Sequence, residues 1–136
     1  MIKPIIKDQQ LLNKPATLAT KNDLSLAQDL IDTLTAHHDK CVGMAANMIG
    51  VNKNVIIVSL GPLKVVMFNP KITAKSQPYQ TAEGCLSLPG NRPTTRFKKI
   101  TVSFYNQAWE QQTLNLTDFP AEIVQHEIDH CHGIII

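Results

Sequence analysis

Gln125-His126-Glu127-Ile128-Asp129-His130 is the stretch from which the rest of the chain is read. Two histidines four residues apart stand one turn apart on one face of a helix, where both imidazoles can reach one metal. Glu127 sits between them, close enough to handle a proton from water at that metal. The surrounding segment reads as helix on independent grounds. Thr117 or Asp118 caps it, Pro120 falls near its first turn, Glu122 reinforces its positive end, and Gly133 marks its C-terminus.

A tetrahedral catalytic metal usually takes three protein ligands and leaves one position for water. The third ligand must come from elsewhere, and Cys85 is the best candidate. It lies in Glu83-Gly84-Cys85-Leu86-Ser87, with a small residue before it and a Pro-Gly turn just after. A cation would hold its thiolate deprotonated. Cys41 and Cys131 compete for this position. Cys131 directly follows His130 and points off the ligand face, as does His132; Cys41 has no particular support. His37 and His38 are adjacent, point in different directions, and read as exposed residues at a helix end.

That earlier helix is capped by Asn22 or Asp23 and runs to about Asp39, with Leu24, Ala27, Leu30, Ile31 and Leu34 on its apolar face. The first twenty residues read as an extended lead-in, because Pro4 and Pro15 interrupt any helix. Between the helices, Asn54–Ser59, Lys64–Asn69, Ile100–Tyr105 and Gln112–Leu116 are rich in β-branched residues and read as strands. Gly61-Pro62 suggests a hairpin turn; Asn69-Pro70 and Leu88-Pro89-Gly90 mark further turns or loops. The small residues of the stretch from Gly43 to Val51 permit close backbone approach. No repeat or linker divides the chain, so residues 1–136 read as one α+β domain.

Composition excludes several classes. With 43% hydrophobic and 18% charged residues, against about 25% charged in typical domains, the chain is too apolar for disorder. A net charge of +2, with Lys and Arg scattered, falls short of a dedicated nucleic-acid binder, and no nucleic-acid partner is expected. No run nears the ~20 apolar residues of a membrane span. Pro4 and Asp8 break the apolar core that a signal peptide would need. Three cysteines, an odd number, argue against a disulfide framework and for a reducing, cytoplasmic setting.

Three segments in this order resemble peptide deformylases. That family carries a small-residue segment G-x-G-hydrophobic-A-A-x-Q, then E-G-C-hydrophobic-S, then Q-H-E-x-D-H. Gly43-Met44-Ala45-Ala46 matches the first in part; residues 83–87 and 125–130 match the other two in full. The resemblance implies antiparallel β-sheets packed around a central HExxH helix. It implies one divalent metal on Cys85, His126 and His130, natively Fe²⁺, with Zn²⁺, Ni²⁺ or Co²⁺ able to substitute. The implied substrate is the N-formylmethionyl end of a new polypeptide, and the products are formate and a free amino terminus. Glu127 would carry the proton, and the Leu86 backbone N–H would donate to the oxyanion. Gly43, with the neighbouring Met44 and Met48, would line the bound peptide, and a pocket partly walled by the His126 helix would take the methionine side chain. Gln125 and Asp129 would orient the core, and Arg92 or Arg96 would pair with Glu83.

The chain departs from the family pattern in two places. Met48 stands where the family has the glutamine whose amide donates to the oxyanion, and a thioether cannot donate. Cys41 replaces the first glycine of the same segment. These changes predict a metal site with reduced deformylase activity, unless Asn47 or a water supplies the donor. They leave open a silent paralogue that keeps the metal and binds peptide N-termini. A zinc peptidase, which H-E-x-x-H alone would suggest, is disfavoured by the Cys-containing loop. The sequence ends three residues past Gly133, so the longer C-terminal tail that can contact the ribosome is not expected and ribosome docking is not assumed.

Overall fold

Val55-Ile56-Ile57-Val58 is apolar at every position, which a strand needs when both of its faces are covered. In the computed structural model, which describes residues 1–134 and of Leu88 only the backbone, this run is strand β2 (Val55–Leu60). Val55 and Ile57 enter one hydrophobic cluster; Ile56 and Val58 enter another on the opposite face. Helix α2 (Leu26–Ala36) covers the first face with Ala27, Leu30 and Leu34. Helix α3 (Asp118–Cys131) covers the second with Ala121, Ile123, Val124 and Ile128. A single turn, α1 (Gln9–Leu12), adds Leu12 to the first cluster, so the N-terminal segment is not wholly extended.

Strands β1 (Gly43–Ala45), β2, β3 (Leu63–Cys85), β4 (Leu88–Tyr105) and β5 (Gln111–Thr117) form one antiparallel sheet in chain order. The architecture is α+β, as expected. The Gly61-Pro62 turn is confirmed by the Leu60–Leu63 pair and by Gly61 at φ +63°.

β3 and β4 are far longer than the sequence suggests. The sequence reading marks turns at Asn69-Pro70 and Leu88-Pro89-Gly90 and assigns no strand over Lys71–Cys85 or Leu88–Lys99, yet these segments pair nearly throughout. β2 pairs β3 only as far as Phe68, and β5 pairs β4 only from Lys99 onward, so the remainder is a two-stranded arm. Each arm strand has one edge without a neighbouring strand, where the missing N–H of Pro78 and Pro93 needs no partner. The arm lies largely outside both clusters, so its sequence lacks the alternation of a half-buried strand. Register shifts between Phe68 and Lys71, Ile72 and Ala74, and Gly84 and Cys85 bend it. Its turn is Leu86-Ser87, closed by the Cys85–Leu88 pair, rather than Pro89-Gly90.

Two helix boundaries also differ. Thr20 and Asp23 cap each other reciprocally around a 3-10 turn (Lys21–Asp23), which separates it from α2. α2 stops at Ala36, where the His37 and His38 rings turn back to the carbonyls of Thr33 and Thr35. His37 is half-buried by this, while His38 is exposed. At α3, Thr117 occupies the cap position but makes no side-chain cap bond.

α3 ends as expected at Gly133, with φ +77°. The Gly133 N–H donates to the His130 carbonyl and the Ile134 N–H to that of Asp129, the paired bonds of a Schellman stop. The expected short end of the chain, Ile135 and Ile136, lies outside the described residues. A Cβ on residue 133 would collide with the Asn13 carbonyl. Gly133→Ala is expected to lower stability by about 1–3 kcal/mol, the cost of one strained backbone position. Urea titration checks this; an unchanged midpoint would mean that the lead-in segment moves aside freely.

Candidate metal centre and cleft

Cys85 ends β3 at the register shift, and the Leu86-Ser87 turn folds over it so that the Ser87 N–H donates to its sulfur at 3.4 Å. The same geometry points the sulfur at α3, where it lies 3.3 Å from His130 Nε2. His126 and His130 lie one turn apart with their rings tilted to each other and centroids 5.2 Å apart. Ligand atoms of Cys85, His126 and His130 all lie within 4.8 Å of one another. A soft thiolate with two imidazoles is a donor set suited to Zn²⁺ or Fe²⁺. The three residues fit one cation with a coordination position to spare.

Each ligand residue is held from behind. His126 Nδ1 lies 2.9 Å from Glu83 Oε1, which turns the other ring nitrogen to the cluster. Asn47 Nδ2 donates to the His130 carbonyl at 2.9 Å and fixes that turn of α3. His130 is fully buried, and its Nδ1 has no partner among the described residues.

Glu83 is itself clamped. Arg96 from β4 donates to both of its oxygens, at 2.7–3.1 Å, and reaches Asp129 of α3 at 2.6 Å. Arg96 is therefore the arginine that pairs with Glu83, whereas Arg92 donates to the Pro89 carbonyl. Gln125 Oε1 accepts from the Phe97 N–H and its Nε2 donates to the Phe97 carbonyl. One side chain thus takes the place of a missing strand along the open edge of β4.

The electrostatics follow from burial and from this clamp. Burial would raise the Glu83 carboxyl, but the hydrogen bonds from His126 and Arg96 outweigh it and hold the pKa at about 2. Burial pushes Glu127 up to about 7, with His126 opposing. Burial, aided by His126, lowers His130 to about 3 and keeps it neutral, the form that ligates. Burial disfavours positive charge on His126 too, yet Glu127, Cys85 and Glu83 together overcome it. The same negative surroundings favour a cation at that ring.

A cleft of about 460 Å³ opens onto the cluster. Cys85, Leu86, His126 and Glu127 line it, as do Gly43 and Met48. Glu127 is buried, and its Oε1 has no hydrogen-bond partner among the described residues. Gly43 makes room for it: a Cβ there would sit 2.9 Å from Glu127 Oε2 and from Ile123 Cγ2. Met44 is the expected site residue that the structure does not bring to the cleft. Strand alternation turns its side chain away from Gly43 and Ala45 and buries it fully in the α2-side cluster. Cys131 is also packed in the core, and burial pushes its thiol up to about 12. Cys41 does line the cleft but stands outside the three-residue cluster.

Sequence patterns do not single out Tyr79, give Glu122 only a helix-end role, and offer Asn47 only as a substitute donor rather than as a support for α3. Tyr79 donates to Glu122 Oε1 at 2.9 Å across the cleft wall. Only long-range pairing brings β3 beside α3, so no local motif announces this contact.

The sequence profile of the family described as polypeptide deformylase matches residues 2–136. The chain belongs to that family. It is a metal-dependent hydrolase of the peptide deformylase class. It is 48% identical to a peptide deformylase of Clostridium beijerinckii over the full length of both chains. It is 37% identical to one from Carboxydothermus hydrogenoformans, covering 97% of this chain and 84% of that protein. Among solved structures, a class I type b peptide deformylase of Acinetobacter baumannii with Met-Ala-Ser bound aligns at TM-score 0.90 and 31% identity. That alignment covers 99% of this chain and 97% of the other. The Thermotoga maritima peptide deformylase aligns at TM-score 0.89 and 29% identity, covering 99% and 95%.

The clamp has a measurable consequence. Arg96→Ala leaves Glu83 buried without its cation and is expected to cost about 3–5 kcal/mol. Because the folded pKa of Glu83 is about 2, below its ordinary 4.5, its stabilising contribution is complete above pH 4.5. It is lost as pH falls toward 2. Thermal melts from acid to neutral pH test both points. A variant as stable as the parent at neutral pH would show that the clamp is not structural.

Proposed function

We propose that the chain removes the formyl group from N-formylmethionyl peptides, the ends of new polypeptides, in the cytoplasm, releasing formate. The observation that carries this reading is a three-donor cluster beside a buried, unpartnered Glu127 carboxylate at the floor of an open cleft. The Met-Ala-Ser bound to the Acinetobacter relative supports a methionine-first peptide as occupant.

In this reading Cys85, His126 and His130 hold one divalent metal, Fe²⁺ as the family implies, with Zn²⁺, Ni²⁺ or Co²⁺ as substitutes. The bound cation supplies the Lewis acidity that makes water nucleophilic near neutral pH. Glu127, with a carboxyl pKa near 7, takes the proton from the attacking water and returns it to the departing amine. The Leu86 N–H, in the turn after Cys85, donates to the developing oxyanion. Gly43 lets the peptide approach Glu127 closely, and Ile123, with the His126 helix, walls the methionine pocket.

Met48 lines the cleft where a second donor would be needed and offers only a thioether. Asn47 does not replace it, because its amide donates to the His130 and Leu12 carbonyls and its side chain does not line the cleft. A missing oxyanion donor typically costs about 10²–10³ in turnover, so activity is reduced. Formate release from a formyl-Met peptide by the Fe²⁺-loaded protein tests this. Met48→Gln is expected to raise turnover at least about tenfold, a fraction of the usual donor effect. An equal rate would refute the role given to Met48. Full metal content with no formate from either protein would favour the silent paralogue that binds peptide N-termini.

The ligand assignment is tested separately by metal analysis of purified variants. Cys85→Ala is expected to abolish stoichiometric metal, and Cys131→Ala to retain it. The opposite pattern would overturn the assignment.

A further inference from the structure

One acidic residue of the cleft takes no part in the proposed hydrolysis. Glu122 lines the same cleft as Ile123 and His126. It stands one turn before His126 on α3, about 6 Å along the helix axis, which is roughly the reach of a methionine side chain. Ile123 faces the β1 wall, where a Cβ on Gly43 would meet its Cγ2 at 2.9 Å. Glu122 faces the β3 wall, where its Oε1 accepts from the Tyr79 hydroxyl at 2.9 Å. The floor between the two walls is therefore apolar on one side and acidic on the other.

Glu122 is half-buried, and no lysine, arginine or histidine pairs with it among the described residues. Arg96, on the same wall, is committed to Glu83 and Asp129. Burial and the neighbouring Glu83 carboxylate raise the Glu122 pKa, and the Tyr79 hydroxyl only partly opposes them. One hydroxyl serves a carboxylate that has about four acceptor sites. Such a group gains from a hydrogen-bond donor that a ligand brings. It loses when a hydrocarbon tip displaces its water.

We propose that Glu122 is a specificity-determining residue for the first side chain of the substrate. It gives the pocket a polar end that admits an unbranched side chain tipped with a hydrogen-bond donor, as in glutamine, alongside methionine. This inference rests on the proposed function for the occupant of the pocket. Methionine, norleucine and glutamine side chains have the same length, so Ile123 and the exposed Phe119, which also lines the cleft, offer all three a similar apolar path. The tip decides between them. A methyl group leaves the Glu122 acceptor without a partner, whereas an amide N–H supplies one.

The test uses the metal-loaded, full-length protein and three N-formyl tripeptides, X-Ala-Ser, with X as methionine, norleucine or glutamine. Formate release gives kcat/KM for each, and calorimetry gives the affinity of each unformylated peptide. Glu122→Leu is expected to lower the glutamine-to-norleucine ratio at least about tenfold in both measurements, the usual scale of one pocket contact. Glu122→Gln keeps an acceptor and is expected to hold that ratio within about threefold of wild type. A ratio unchanged in Glu122→Leu would overturn the proposal. So would an equal fall of the ratio in Phe119→Ala, which would mean a general loosening of the pocket. Absence of formate from all three peptides would refute the proposed deformylation, and the calorimetric ratio would still decide the role of Glu122.

Discussion

Glu83 is the carboxylate around which the site is assembled. It lies near the end of the long arm of β3, accepts three hydrogen bonds from Arg96 of β4, and lies against His126 Nδ1 of α3. Arg96 extends the link to Asp129, one residue before His130. A buried carboxylate of this kind is costly unless paired, and once paired it resists any movement of its partners. The position of Cys85, two residues further along β3, is thereby tied to the positions of both histidines. Without this link, the arm would be a two-stranded ribbon with little to fix its direction.

The sheet supplies the other half of the constraint. β2 is buried on both faces, so it anchors α2 on one side and α3 on the other. β1 pairs with it through Gly43–Val58 and so carries Gly43 to the side of Glu127. Glu127 can occupy that space because residue 43 has no side chain. The stability of the core and the openness of the cleft are therefore set by the same short strand, whose next residue, Met44, faces the other way into packing.

Most of the chemistry was legible locally. A helix repeat fixes the spacing of His126 and His130 whatever the rest of the chain does, and the E-G-C-L-S stretch carries its own signature. The apolar strands near the core were legible because burial leaves short apolar runs rich in β-branched residues. The arm was not. Lys71–Cys85 and Leu88–Lys99 are polar and proline-containing, and they are strands because they pair with each other, a long-range fact without a local pattern. The turn shifted to Leu86-Ser87 for the same reason, since register rather than the Pro-Gly pair decides where the strands meet.

The sequence by itself determined the His126–His130 pair with Glu127 between them, the E-G-C-L-S stretch and the membership of a family, because each depends on residue type at short, fixed spacing. Only the tertiary structure decided that Arg96 rather than Arg92 clamps Glu83, and that Asn47 is committed to α3. It alone turned Met44 into the core. These outcomes depend on which face a residue presents and on which distant strand lies beside it, and the order of residues along a chain does not encode either one locally.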